Sequence, residues 1–128
     1  MTPAELRSRT RAFAVAVIEF MRSLPETMEA REIAGQLRRA STAVSANYRA
    51  AGRARSRKEF IAKLSLVLEE CDESEHWLGL IRDCRIASGS ELDRLNDEAS
   101  QLRAIFGQAV RTARRNHGGP KRPPLSDP

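Results

Sequence analysis

Apolar side chains return every three or four residues through most of this chain, the spacing that lines one face of a helix. Leu6, Thr10, Phe13, Val17, Phe20, Met21 and Leu24 form the first such stripe. Thr2, Pro3 and Glu5 precede it as a hydroxyl cap, a proline at the first helical position and an acid able to reach back to the cap N–H. The spacing predicts a helix to about Ser23, stopped by Pro25, which disfavours helical backbone in the residue before it. A second stripe, Ile33, Leu37, Ala40, Val44 and Asn47, predicts a helix from about Glu29 to Gly52, with Gly52 free to take a positive φ as a C′ residue. Ser56-Arg57-Lys58-Glu59 matches a capping box. It opens a third helix whose broad face carries Phe60, Leu64, Val67, Leu68, Cys71, Leu78 and Ile81 and which runs to about Cys84. Gly89 and Ser90 mark the next start, with Ser90 as cap and Asp93 three residues on. Leu92, Leu95, Ala99, Leu102, Phe106 and Val110 form the fourth stripe.

No alternation of strand period interrupts this pattern. The expected class is therefore all-α: an antiparallel up-down four-helix bundle over residues 3–115, because short connections favour antiparallel neighbours. Residues 116–128 hold four of the six prolines and one large apolar side chain, a composition that predicts a disordered tail.

Length and composition narrow the picture. At 128 residues the chain makes one domain. It has no apolar run of membrane-spanning length, and its N-terminus lacks the layout of a secretory signal. Cys71 and Cys84 have no partners at zinc spacing and read as buried thiols of a reducing compartment, so a cytoplasmic location is expected. No phosphate loop, nucleophile elbow or HExxH is present, and the two histidines are His76 and His117. The expectation is a protein without enzyme chemistry or cofactor. Glu73 and His76 share the E-x-x-H spacing of di-iron bundles, but a second such pair is missing, so no metal is expected.

The net charge of +5 is unevenly spread. Residues 49–68 carry six cations against Glu59, and residues 69–98 carry ten acids against three arginines. Such segregation predicts partner recognition or charge pairing between neighbouring helices. If the second and third helices form a hairpin, Arg38 and Arg39 face Glu69, Glu70 and Glu73, and ion pairs across the hairpin are expected. The cations Arg49, Arg53, Arg55, Arg57, Lys58 and Lys63 surround the hairpin turn and form the candidate nucleic-acid-binding block. A turn balanced by acids of a neighbouring subunit explains the same block. Trp77 is read as core packing at the far end of the third helix, with an interface anchor as the alternative. Val15, Ile18, Ile61, Leu66 and Leu80 lie off the main stripes, giving more apolar circumference than one four-helix core uses, and predict self-association.

The run from Gln36 through Ala40, with Asn47-Tyr48-Arg49, the Arg55-Ser56-Arg57-Lys58-Glu59-Phe60 helix start and the Glu70-to-Leu78 segment ending in Trp77-Leu78, resembles a bacterial family. These are the four-helix-bundle proteins named for reading frames in intervening sequences of 23S ribosomal RNA genes. The likeness covers residues 6–112. Residues 47–52 depart from the Asn-Ile-Ala-Glu-Gly-like run of many relatives, and its acid is missing here. The resemblance implies a single up-down bundle, often a ring-like homopentamer, with no established enzyme activity. It is also similar to the accessory variability determinant proteins of diversity-generating retroelements, which implies a reverse transcriptase and RNA as partners.

Two functions follow as expectations. One is a non-enzymatic oligomeric module associated with the RNA or DNA backbone. The other is a self-assembling protein-interaction scaffold that binds no nucleic acid.

Overall fold

The computed structural model describes residues 1–118, which form four helices: α1 (Pro3–Met21), α2 (Met28–Ala51), α3 (Arg57–Asp83) and α4 (Ser90–Gly118). No strand occurs among the described residues. The expected tail begins inside α4, which continues past residue 115 to Gly118. Residues 119–128 lie outside the described residues.

Each helix start is set by local hydrogen bonding. The Thr2 hydroxyl accepts from the Glu5 N–H at 3.1 Å, and the Glu5 carboxylate accepts from the Thr2 N–H at 2.7 Å. Those bonds from Thr2 hold the Glu5 carboxyl below its ordinary pKa. Thr27, not singled out in the sequence, caps α2 by accepting from the Ala30 N–H at 3.2 Å. The Ser56 box forms by half: its hydroxyl accepts from the Glu59 N–H at 3.0 Å, while the Glu59 carboxylate lies 3.7 Å from Arg55 Nε. At α4 the capping position falls one residue earlier than expected, on Gly89, whose carbonyl accepts from the Asp93 N–H at 3.1 Å and whose φ is +119°. Glycine takes that backbone without a Cβ clash.

Two helix ends differ from expectation. Gly52 keeps right-handed helical backbone at φ −66°. The end of α2 tightens instead, with N–H groups of Arg53 and Ala54 donating three residues back to Ala50 and Ala51. Carbonyls left over at the terminus are thereby satisfied without a left-handed residue. The left-handed residue belongs to α3: Arg85, at φ 60°, lets the Ile86 N–H reach the Ile81 carbonyl at 2.9 Å and its own N–H reach Arg82 at 3.0 Å. That is the Schellman pattern built on a residue other than glycine.

The helices close a four-sided circuit. α1 packs on α2 and α4, and α3 packs on the same two. Tyr48 and Phe106 meet across the diagonal with ring centroids 5.2 Å apart. Phe13, Val17, Leu37, Val44, Leu64, Val67, Leu78, Ile81, Leu102 and Phe106 form the centre of the core, and every residue of the fourth stripe is buried. Of the off-stripe apolar groups, Val15 and Leu66 are exposed, while Ile18, Ile61 and Leu80 are half-buried. Cys71 is buried as expected, but Cys84 is exposed because α3 ends there and turns into solvent.

Candidate nucleic-acid interface

Antiparallel packing gathers four helix ends into one end of the bundle: the start of α1, the end of α2, the start of α3 and the end of α4. Contacts fix this grouping. Arg7 and Ser8 share a hollow with Ser45 and Arg49. Leu68 lies against Gly107, and Arg114 Nη2 bonds to Ser65 Oγ at 3.2 Å. Segments distant in sequence thus add their charges. Residues 1–11, 45–68 and 107–118 carry twelve lysines and arginines against Glu5 and Glu59 alone. The rest of the described chain carries fourteen acids against eight cations. Positive charge is concentrated toward that end, with acids at its border: Glu98 pairs with Arg9, and Glu69 and Asp72 share a hollow with Arg111.

The six cations expected around the α2–α3 turn are divided among different surfaces. Arg49 and Arg53 are exposed and line a groove between α1 and α2. Arg55 and Arg57 rim a small depression at the turn, floored by Ala51, Gly52, Ala54 and Phe60. The Arg57 guanidinium carbon lies 5.7 Å from the centre of the Phe60 ring, and its Nε is buried without a hydrogen-bond partner among the described residues. Lys58 is exposed and Lys63 half-buried, and both stand on α3 outside these linings.

Sequence reasoning missed the partners of Arg49 and Arg53. Arg7 and Arg11, one turn apart on α1, face them across the groove. Thr42, Ser45 and Ser8 supply hydroxyls, and Ala14, Val15, Ile18 and Ala46 supply apolar wall. No acid lines either hollow, and none of the four guanidiniums is within 4.0 Å of a carboxylate among the described residues. Burial raises the pKa of the nearby Tyr48 hydroxyl, and the charge of Arg7 acts in the opposite direction. The signal in the sequence was the i, i+4 spacing of Arg7 with Arg11 and of Arg49 with Arg53, which sets each pair on one helix edge.

The hairpin ion pairs are corrected. Arg38 and Arg39 are exposed, and among the described residues neither makes an ion pair with Glu69, Glu70 or Glu73. The α2 stripe through Ala34, Leu37, Ser41 and Val44 turns inward. Residues 38 and 39 are thereby rotated by about 100° and 200° from Leu37, away from the core seam. The acidic run of α3 is bridged from α4 instead, by Arg103 Nε to Glu75 Oε1 at 2.6 Å. The bond that Arg103 donates to Glu75 raises the Arg103 pKa. Half-buried Glu70 has its pKa raised by desolvation, then by the charges of Glu73 and Glu69.

Glu73 and His76 are both exposed, and Glu73 accepts from the Trp77 indole N–H at 3.3 Å. His76 meets the Trp77 ring edge-on at 4.8 Å. Trp77 is half-buried and packs against the core. No group of three potential metal ligands occurs among the described residues, and no helix there is long and apolar enough to cross a membrane.

Comparison with known proteins places this architecture. A protein of unknown function from the S23 ribosomal protein family of Bacteroides thetaiotaomicron VPI-5482, solved by crystallography, has the same fold. The TM-score is 0.79 at 24% identity, covering 87% of this chain and 99% of that one. No curated protein matches the chain. Residues 4–108 match the family model for the 23S rRNA-intervening sequence protein, a match spanning most of α1 through α4. The chain belongs to the 23S rRNA-intervening sequence protein family.

Proposed function

We propose that the protein is a non-enzymatic, self-associating helical bundle that holds RNA or DNA by its backbone. The observation that carries this reading is the charge separation between segments, twelve cations against two acids in the stretches that pack toward one end, with Arg9 alone of the twelve locked, among the described residues, to an acid from outside them, Glu98. Most of these residues are exposed and make no ion pair among the described residues. A phosphate backbone neutralises such groups while releasing its condensed counterions, which gives affinity without base reading. Self-association multiplies one such end into an extended surface on which modest contacts add. A homopentamer is the assembly that the family likeness suggests, and an RNA-handling enzyme such as a reverse transcriptase is the class of protein partner.

The test combines light scattering with RNA binding at low and high salt. Wild-type protein is expected to bind RNA with an affinity that falls steeply as salt rises. Arg53→Ala, Arg55→Ala and Arg57→Ala together are expected to weaken binding while leaving the oligomer mass unchanged. Absence of binding at low salt, or a triple variant that binds as wild type does, overturns the reading.

The second reading, an assembly scaffold without nucleic acid, draws on exposed Val15 and Leu66 on two different helices. It expects the triple change to break the oligomer or to do nothing.

A further inference from the structure

We propose that the groove between α1 and α2 is a track for a single extended nucleic-acid strand, an inference that rests on the backbone-binding reading and assigns it a surface. Arg7 and Arg11 stand on one wall, Arg49 and Arg53 on the other, with no acid in the lining. Within each pair the spacing of four residues corresponds to about 6 Å along the helix axis. Successive phosphates of one strand lie a comparable distance apart through space, so the two arginines of a pair can take successive phosphates. One strand's backbone therefore keeps step with the ladder of guanidiniums.

Width points the same way. Helices in contact lie about 8–10 Å apart, so the groove admits one backbone, while the two-stranded cylinder of a duplex rests on the rims. Between the arginine rows lie the small side chains Ser45 and Ala46, over which a backbone approaches closely. Exposed Val15 extends an apolar strip beside Arg11. A strand with its phosphates on the arginines would lay sugar and base faces on this strip. A duplex keeps those faces stacked inside and gains nothing from it. No aromatic platform lines the groove, so the track holds any sequence.

The experiment is fluorescence anisotropy with a labelled oligouridylate and a duplex RNA of equal length, titrated over a range of salt. Wild type is expected to bind the single strand more tightly than the duplex. Arg7→Gln, Arg11→Gln and Arg49→Gln together should weaken single-strand binding by at least about tenfold and flatten the log–log salt slope by about two, at roughly 0.7 per phosphate contact. Val15→Ser should weaken it about twofold with the slope unchanged. Arg31→Gln, Arg38→Gln and Arg39→Gln, a control of equal charge loss, should leave it as in wild type. A groove variant that behaves like this control overturns the track while backbone binding stands. A groove variant with altered oligomer mass also overturns it, by assigning the groove to a second copy. Wild type that binds neither RNA removes the broader reading as well.

Discussion

Arg9 grips Glu98 with two parallel bonds, Nε to Oε2 and Nη2 to Oε1, both at 2.8 Å, and so clasps the first helix to the last. The pair is about three-quarters shielded from water, with side-chain exposures of 24% and 26%. A third bond, from Nη2 to Gln101 Oε1 at 2.8 Å, fixes the guanidinium plane. Fork-to-fork geometry of this kind is stronger than a single exposed ion pair. The bond to Glu98 raises the Arg9 pKa, so Arg9 stays charged throughout the working range. A double-mutant cycle of Arg9→Ala and Glu98→Ala in urea should return a coupling of about 1 kcal/mol. It should shrink only modestly in high salt, because the pair is largely screened from solvent. Additive single changes would show that the clasp contributes nothing.

Ser74 is fully buried, and its hydroxyl has no hydrogen-bond partner among the described residues. Thr10, equally buried, donates to the Leu6 carbonyl at 2.9 Å. An unsatisfied buried hydroxyl costs about 1–3 kcal/mol. Ser74→Ala is expected to raise stability by about 1 kcal/mol, read as a higher urea midpoint at unchanged m-value. Thr10→Ala should lower it. A destabilised Ser74→Ala protein would mean that the hydroxyl has a partner after all.

Arg85 holds the left-handed position that closes α3, with its side chain in solvent. Left-handed helical backbone costs an L-residue about 1–2 kcal/mol, and glycine is free of that clash. Arg85→Gly is therefore expected to raise the melting temperature. Gly89→Ala, which places a Cβ at φ +119°, is expected to lower it. Thermal melts of both variants check the opposite signs together.

Burial, followed by the nearby charge of Glu70, pushes the Cys71 thiol up to about 12. A thiol-specific reagent at mildly alkaline pH should modify Cys84 quickly in the folded protein and Cys71 only after denaturation. The neutral thiol is the form the fold accepts, so its contribution is complete below the ordinary thiol pKa and is lost as pH rises toward 12. Wild type should accordingly lose more stability than Cys71→Ala over that alkaline window. Parallel curves for the two proteins would contradict this.

The helices were legible in the sequence because their causes are local. The Thr2 cap bonds three residues on, and each buried position of α4 repeats within a turn of the last. The α2 ending at Gly52 departs from the expected left-handed cap because glycine permits that backbone without requiring it, and the tightened last turn satisfies the carbonyls instead. The candidate site was less legible. Hairpin register alone sets Arg38 and Arg39 opposite the α3 acids and leaves out how far α2 is rotated about its own axis. Arg7 and Arg11 are not legible as neighbours of Arg49 and Arg53, some forty residues away, because only the docking of α1 on α2 brings them together. The turn cations were found, but their division among separate surfaces depends on side-chain direction, which spacing does not encode.

The antiparallel run of the helices carries a practical corollary. The start of α1 lies at the arginine-rich end of the bundle, so an affinity tag or fluorophore fused ahead of Met1 would crowd that end and blunt any assay of it. The loop between α3 and α4, around Ser88, opens at the far pole. A label inserted there would report on the molecule without standing in the way of what it grips.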